Sequence, residues 1–386
     1  MIAFDTSQQR VLALDPRAHA RVLGAPGTGK TELLVESFAR AMALAGWEEG
    51  DALVLAPNRL VAASLRERVH KRLDRAVGGA PVRTASSFAF SVLGRAAATA
   101  GEAPPRLLTG TVQDEAIAET VEARIQADTV RGEGGLAADV LLSAPFRAEL
   151  RELWRVLDDF GFSPAALAAS LTGALADARN LAYSAGPDPG LAARWVEALD
   201  VLQDVQQGLE QSRAQEVSSS GLLRHAAQAI RDGQAPAPRL LLIDDAQELG
   251  EGQLALVAAC ATAGSAVWAF GDPDLATSAF QGEHTRVLAG LTAELVRRGW
   301  TPPPAATEQL VVLDTVYRHG ATIRGFVRGL STRIGSAGGA AHRAAESVPV
   351  SAAATGAEAG GAAAAESGAE AGAGAGARAG AGAGAG

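Results

Sequence analysis

The run Gly24-Ala25-Pro26-Gly27-Thr28-Gly29-Lys30-Thr31 constrains this chain more than any other stretch of it. Two glycines with four residues between them, then a lysine and a hydroxyl residue, build a loop whose backbone N–H groups turn inward around phosphates. Glycine permits the left-handed backbone that such a turn needs. In a loop of this kind Lys30 reaches the β- and γ-phosphates, and the Thr31 hydroxyl ligates Mg²⁺. The flanks agree with that reading. An apolar run, Ala20 to Leu23, leads in, and Leu34, Phe38 and Met42 recur at helical spacing behind it. A strand–loop–helix unit holding a nucleoside triphosphate with Mg²⁺ is therefore expected.

Such a loop needs an acid for the metal, and Leu240-Leu241-Leu242-Ile243-Asp244-Asp245 supplies one at the end of a buried strand. With this strand expected beside the loop-bearing strand, Asp244 would hold Mg²⁺ through water. Asp245 would orient or deprotonate the attacking water. More than two hundred residues separate Thr31 from Asp244. A compact nucleotide kinase has no use for that span, whereas a motor with an inserted domain does.

The texture of the chain divides accordingly. Residues 1–110 alternate strand-like and helix-like segments, including DALVLAP and a helix from Leu60 to about Arg75, which is the pattern of a parallel sheet flanked by helices. Residues 111–233 carry long helical periodicity and no convincing strand, so an all-helical insertion is expected. The α/β texture returns over 234–305. Residues 306–335 read as the first strand and helix of a second α/β domain. From 336 to 386 the chain is nearly all Ala, Gly, Glu and Ser, a composition that cannot offset the entropy of ordering and is expected to be disordered.

Charge and cysteine content narrow the options. The net charge of −9 argues against a chain coated in basic surface. One cysteine, Cys260 in an apolar run, excludes internal disulfides and cysteine-ligated clusters and reads as a buried hydrophobe. No basic-then-apolar leader and no apolar run of about 18 residues is present, so the cytoplasm is the expected compartment and no membrane is expected. Trp154, Trp195 and Trp268 sit in apolar periodic segments and are expected in the core. Arg66, Arg68, Lys71, Arg72 and Arg75 fit either a phosphate-tracking helix face or a solvated one.

Taken in order, the motifs resemble those of superfamily 1 DNA helicases of the UvrD/RecB type over about residues 4–320. FDTSQQRVL resembles the adenine-reading Q motif with Gln8 at its glutamine, and GAPGTGKT is motif I. LVLAPNRLVAASLRERV resembles motif Ia, VRTASSFAFSVL motif Ib, LLLIDDAQEL motif II with Gln247, FGDPDLATSAFQG motif III, and LDTVYRHG motif IV. GEAPPRLLTGTVQDEAI and PFRAELRELWRVLDDFGFSPAALA are similar to the AdnA subunit of the AdnAB helicase–nuclease, whose relatives are AddAB and RecBCD.

The resemblance implies a RecA-like P-loop NTPase fold and an ATP-dependent 3′–5′ DNA helicase of double-strand-break repair and recombination. ATP and Mg²⁺ are its cofactors, and its partners are single-stranded or duplex-end DNA and a second helicase–nuclease subunit. Gln8 would read adenine, Tyr317 would stack on it, and Arg318 would contact the γ-phosphate. Thr84, Phe88 and Phe280 would line the single-strand groove, where stacking gives a sequence-tolerant grip.

Departures accompany the match. Asp245 stands at a usual glutamate, Leu275 at the motif III glutamine, Ser278 at an aromatic, Pro57 at a phenylalanine, Gln281 at an arginine and Val316 at the motif IV asparagine. The Gly/Ala repeats begin before motifs V and VI, and the family's iron–sulfur nuclease module is missing. Weak or absent activity is expected of the chain by itself. The alternative reading is a degenerate, non-motor scaffold or DNA-guiding subunit of a helicase–nuclease complex. A metabolic kinase is disfavoured for want of an acceptor-binding lid signature.

Overall fold

Apolar residues alternate across the strands and settle the architecture. Leu23, Leu53, Leu55, Leu241, Ile243, Val267 and Ala269 enter one buried cluster. Their neighbours Val22, Val54, Leu240, Leu242, Trp268 and Phe270 enter another. Successive strand side chains point to opposite faces, so a sheet buried on both faces is required. The computed structural model describes residues 3–44, 46–73, 79–127, 136–180, 188–212, 216–219, 221–275, 286–303, 308–333 and 340–348.

The elements run α1 (Thr6–Leu12), β1 (Ala20–Leu23), α2 (Lys30–Ala41), β2 (Ala52–Ala56), α3 (Arg59–Leu73), β3 (Val82–Thr84) and α4 (Ala85–Ala100). Next come β4 (Arg106–Leu107), α5 (Gly110–Gln126), α6 (Ala138–Leu141), α7 (Ala144–Phe160), α8 (Pro164–Asn180), α9 (Pro189–Ser212), β5 (Glu216–Val217) and α10 (Gly221–Arg231). The chain continues through β6 (Leu240–Ile243), α11 (Glu251–Thr262), β7 (Ala266–Gly271), α12 (Arg286–Ala289), α13 (Leu291–Arg297), β8 (Gln309–Val312), β9 (Thr315–Val316), α14 (Ala321–Ser331) and β10 (Glu346–Ser347).

Six parallel strands form the main sheet in the order β3-β2-β6-β7-β1-β8. Parallel strands need crossover helices on the faces. Helices α1, α2 and α3 contribute Val11, Leu33, Leu34, Phe38 and Leu65 to the core on one face. Helices α4, α10, α11 and α13 contribute Val92, Leu222, Ala226, Leu256 and Leu291 on the other.

Four expectations change. First, β6 does not lie beside β1: β7 is hydrogen-bonded between them. The apolar run Ala266–Gly271 is buried along its whole length, as an interior strand must be. Second, β8 extends the main sheet by pairing with β1, so Gln309–Val312 does not begin a second sheet. Third, the stretch expected to be wholly helical contains β5, which pairs with β4, and α10 packs with α4 and α11 over the main sheet. A two-residue strand is too short for a period-two pattern to register. Fourth, part of the Ala/Gly-rich tail is ordered: residues 341–344 form a 3₁₀ turn and β10 pairs with β9.

Helices α5, α7, α8 and α9 share a separate core of Ile117, Val121, Leu150, Trp154, Leu157, Leu199, Leu202 and Val205. Helix α7 shows how local chemistry sets its ends. Ser143 caps the N-terminus by accepting from the Phe146 N–H, a proline sits in the first turn, and Gly161 closes the C-terminus at φ 70°. Trp154 and Trp268 are buried, but Trp195 is 46 % exposed and is no core anchor. It lies on the same stripe of α9 as Leu199 and Leu202, four and seven residues on, but at the open rim of a pocket that it lines with Phe146, Leu150 and Leu153.

Candidate nucleotide-binding site

The C-terminal ends of β1, β6 and β7 meet at the loop of residues 24–29. The loop's shape depends on two of its glycines in particular. Gly29 holds φ 82° and stands at the N-cap of α2, so the first N–H groups of that helix face the loop. A Cβ on Gly24 would come within 2.4 Å of Thr28 Oγ1. Thr28 is fully buried and donates from its hydroxyl to the Ala25 carbonyl at 2.9 Å, bracing the turn. Ala25 is buried, while Pro26 and Gly27 are partly exposed.

Lys30 lies inside this curve. Its Nζ donates to the carbonyls of Gly24 at 2.7 Å and Ala25 at 3.3 Å. Burial holds its pKa below the ordinary lysine value, against the opposing pull of Asp272, Asp245 and Asp244. The Thr31 hydroxyl donates to Asp244 Oδ1 at 3.4 Å across 213 residues of sequence. Lysine, threonine and aspartate therefore converge although β7 separates their strands.

Asp244 is 3 % exposed. Burial first, and then the neighbouring Asp245, raise its pKa from 3.8 to about 6, despite the hydrogen bond from Thr31 and the charge of Lys30. Asp245 is the one described non-glycine residue at positive φ, 49°, a backbone strain found where a side chain must be aimed. Gln247 links the two strand ends: its Nε2 donates to Asp245 Oδ1 at 3.3 Å, and its Oε1 accepts from the Asp272 N–H at 3.2 Å. Gly271 makes room, since a Cβ there would come within 2.4 Å of Gln247 Oε1.

The opposite rim brings both ends of the described chain together. Asp5 caps α1 and Gln8 completes a capping box, each serving the other's backbone N–H. Gln8 is buried and its Nε2 donates to the Thr28 carbonyl at 3.1 Å. The Tyr317 hydroxyl donates to Asp5 Oδ2 at 2.5 Å, and the Tyr317 N–H donates to the Gly27 carbonyl at 2.8 Å. Burial and Asp5 push the Tyr317 hydroxyl up to about 12. Arg318 is pressed to the loop: a Cβ on Gly27 would lie 2.6 Å from Arg318 Cβ. Gln8, Gly24–Thr31, Asp244, Asp245, Tyr317 and Arg318 thus surround one loop.

A family model for the UvrD/REP helicase N-terminal domain matches residues 4–294. The chain belongs to the UvrD/REP helicases. Membership implies ATP-dependent DNA helicase activity, with ATP as nucleotide and DNA as partner. No curated protein matches the sequence. Among the described residues no helix is long and apolar enough to cross a membrane.

The donor set suits the Mg²⁺ such helicases use with ATP. Hard oxygen donors from Thr31 and Asp244 face each other with no nitrogen or sulfur ligand between them, and the glycine loop leaves backbone N–H groups for phosphate. Held by Thr31 and Asp244, Mg²⁺ would supply positive charge to neutralise the phosphates.

The residues expected along a DNA groove fare differently. Phe88 is 3 % exposed and packed in the core beneath α4, so its ring offers no face to a base. Thr84 is partly buried and caps α4 by accepting from the Ser87 N–H. Phe280 lies outside the described residues, as do Ser278 and Gln281. The basic helix face is largely paired internally: Arg68 with Glu32, Arg72 with Glu36 and Lys71 with Glu67, while Arg66 donates to the Val82 carbonyl. Arg75 is outside the described residues.

Asp272, in the run that resembles motif III, belongs to the site's surroundings, and so do Asp5 and His342, to which no motif gave a role. Asp5 was legible in principle, because Asp-x-x-Gln ahead of an apolar helix is a capping-box signature. His342 carried no local signal.

Proposed function

We propose that this UvrD/REP helicase is the ATP- and DNA-binding part of a 3′–5′ helicase acting in double-strand-break repair and recombination, similar in kind to AdnA. The main sheet with its flanking helices, β8 and α10 included, serves as its first RecA-like domain, α5 to α9 as a helical insertion of the 1B kind, and the segment after β8 up to 335 leads into a second motor domain. A second helicase–nuclease subunit is its partner, and the cytoplasm its compartment.

In this reading Gln8 and Tyr317 hold the adenine edge and face. Lys30 and the backbone N–H groups of residues 27–31 hold the phosphates, and Arg318 faces the γ-phosphate. Thr31 and Asp244 hold Mg²⁺. Asp245, kept in place by Gln247, accepts the proton of the attacking water. The same Gln247 touches the end of β7, so a change at the γ-phosphate reaches the segment that follows β7, where the groove residue Phe280 is proposed to contact DNA. Alternating closure of two RecA-like domains then moves the strand. The observation that carries this reading is the Lys30–Thr31–Asp244 convergence with Gln247 bridging Asp245 to Asp272.

ATP turnover with and without single-stranded DNA tests the proposal. DNA-stimulated turnover that Lys30→Ala abolishes supports a motor. A second reading, a non-motor scaffold or DNA guide, is favoured by Leu275, 44 % exposed where the family places a γ-phosphate-sensing glutamine. Tight DNA and ATP binding without turnover supports that alternative.

A further inference from the structure

Residues 340–348 leave the Ala/Gly-rich composition around them and return to the nucleotide loop. Three contacts fasten them there. Strand β10 adds to β9 in parallel, with the Glu346 N–H donating to the Asp314 carbonyl at 2.9 Å and the Val348 N–H to the Val316 carbonyl at 3.1 Å. Ala345, Val316 and the loop residue Ala25 form a small buried cluster of their own. From α14, the buried Arg324 donates to the carbonyls of Ala345 and Arg343, both at 2.8 Å. The strand so covered is the one that delivers Tyr317 and Arg318 to the loop.

A fourth contact reaches the catalytic end of β7. His342 is 1 % exposed, and its Nε2 lies 2.9 Å from Asp274 Oδ2 and 3.3 Å from Asp272 Oδ1. Arg343 donates twice to Asp274, at 2.8 and 2.6 Å. Asp272 in turn is the foremost of the carboxylates acting on Lys30. The two aspartates and the histidine have the spacing of metal ligands. Two carboxylates facing Arg343 and an imidazolium are already neutral as a set, however, and Arg343 occupies both oxygens of Asp274. An ion-paired fastening accounts for the cluster without a metal.

We propose that residues 340–348 are a strap holding Tyr317 and Arg318 against the nucleotide loop, and that His342 is its positioning residue, joining the strap to Asp272 beside Lys30. The proposal rests on residues 24–31 being a nucleotide site. Every charged group facing His342 enters the balance: Asp272 and Asp274 after β7, Arg343 on the strap, and Arg324 with Arg328 behind it on α14. Burial acts to lower the His342 pKa, but its hydrogen bonds to Asp272 and Asp274 and their charges outweigh burial and raise it above 6.5. The sign follows by linkage. A histidine raised on folding contributes its full stabilisation below 6.5 and loses it as pH rises through the higher folded value. The strap is therefore fastened at low pH and loosens as pH rises.

Amide hydrogen exchange on the full chain without nucleotide tests the strap directly. Between about pH 6 and about pH 9, and after correction for intrinsic rates, protection at Glu346, Val348 and Tyr317 is expected to fall by tenfold or more. Protection across β6 and β7 stays constant and reports that the fold is intact. In His342→Gln the low-pH protection is lost and the pH dependence disappears; in His342→Lys it persists at high pH. Arg343→Ala weakens the strap at every pH while leaving the pH dependence in place.

With a fluorescent ATP analogue and Mg²⁺, His342→Gln is expected to weaken binding by roughly 3- to 10-fold at low pH, the range of one lost positioning hydrogen bond, and His342→Lys to restore it. Wild-type protection that ignores pH, or His342→Gln protection equal to wild type, overturns the proposal. Failure of the wild type to bind the analogue overturns the nucleotide reading instead, and the exchange data still decide the strap.

Discussion

Asp244→Asn separates the cost of a buried carboxylate from its use. The side chain is 3 % exposed and its pKa is raised from 3.8 to about 6. Roughly two pKa units at ~1.4 kcal/mol each put the penalty for ionising it in the folded chain at up to ~3 kcal/mol. Because the folded value is the higher one, the stability the group contributes is complete below pH 3.8 and is lost as pH rises through about 6. Asparagine keeps an acceptor for the Thr31 hydroxyl and never ionises.

Nucleotide-free Asp244→Asn should therefore match wild type near pH 4 and exceed it by up to ~3 kcal/mol at neutral pH, several degrees in thermal midpoint for a chain of this size. Mg²⁺ and ATP should reverse the order. Wild type gains ~4.1 kcal/mol at a thousandfold excess over its dissociation constant, and the variant gains little. Thermal melts at about pH 4 and pH 7.5, with and without Mg–ATP, read all four values. A nucleotide-free variant that is less stable than wild type at neutral pH, or a difference that ignores pH, refutes the assignment of Asp244 as a desolvated carboxylate awaiting a cation.

Three further outcomes are expected. Gln247→Leu leaves the buried Asp272 N–H without its acceptor and frees Asp245; turnover should drop by ~10-fold or more while nucleotide affinity stays within ~3-fold, which steady-state kinetics and equilibrium binding distinguish. Phe88→Ala opens a cavity in the core, so denaturant melts should show a loss of ~3–5 kcal/mol, with DNA affinity per folded molecule unchanged. Cys260 is fully buried and its thiol is pushed up to about 12 by burial. Thiol reagents at pH 8 should label it only at the rate of unfolding, and prompt labelling of the native chain would contradict the packing of α11.

Legibility in the sequence followed the range of the interactions. Gly24–Thr31 and Leu240–Asp245 could be read because their chemistry is local: glycines for a turn, apolar residues for a buried strand, an acid at its end. The order of the sheet could not be. An all-apolar strand such as Ala266–Gly271 suits any interior slot, and only long-range pairing puts it between β1 and β6. Phe88 was open to misreading for a related reason, since an aromatic on an amphipathic helix serves a groove or a core equally well until the facing element is known. Trp195 shows the converse: it shares the inward stripe of Leu199 and Leu202 and is still half exposed, at the open rim of the pocket it lines with Phe146 and Leu153.

Composition concealed the strap. Its residues lie in a stretch too poor in apolar side chains to order itself, and its anchorage comes from Arg324, Asp272 and Asp274, supplied by other elements. The pairing of Tyr317 with Asp5 was likewise invisible, because those residues are separated by 312 positions.

Equilibrium binding of a fluorescent ATP analogue, with Mg²⁺, to the wild-type chain and to Lys30→Ala tests the central claim most directly. Loss of a charge-assisted contact to phosphate is worth ~1.5–3 kcal/mol, which predicts roughly 10- to 100-fold weaker binding by the variant with its thermal midpoint preserved. Equal affinity of the two proteins would show that residues 24–31 do not hold the phosphates, and the account of the site would be wrong.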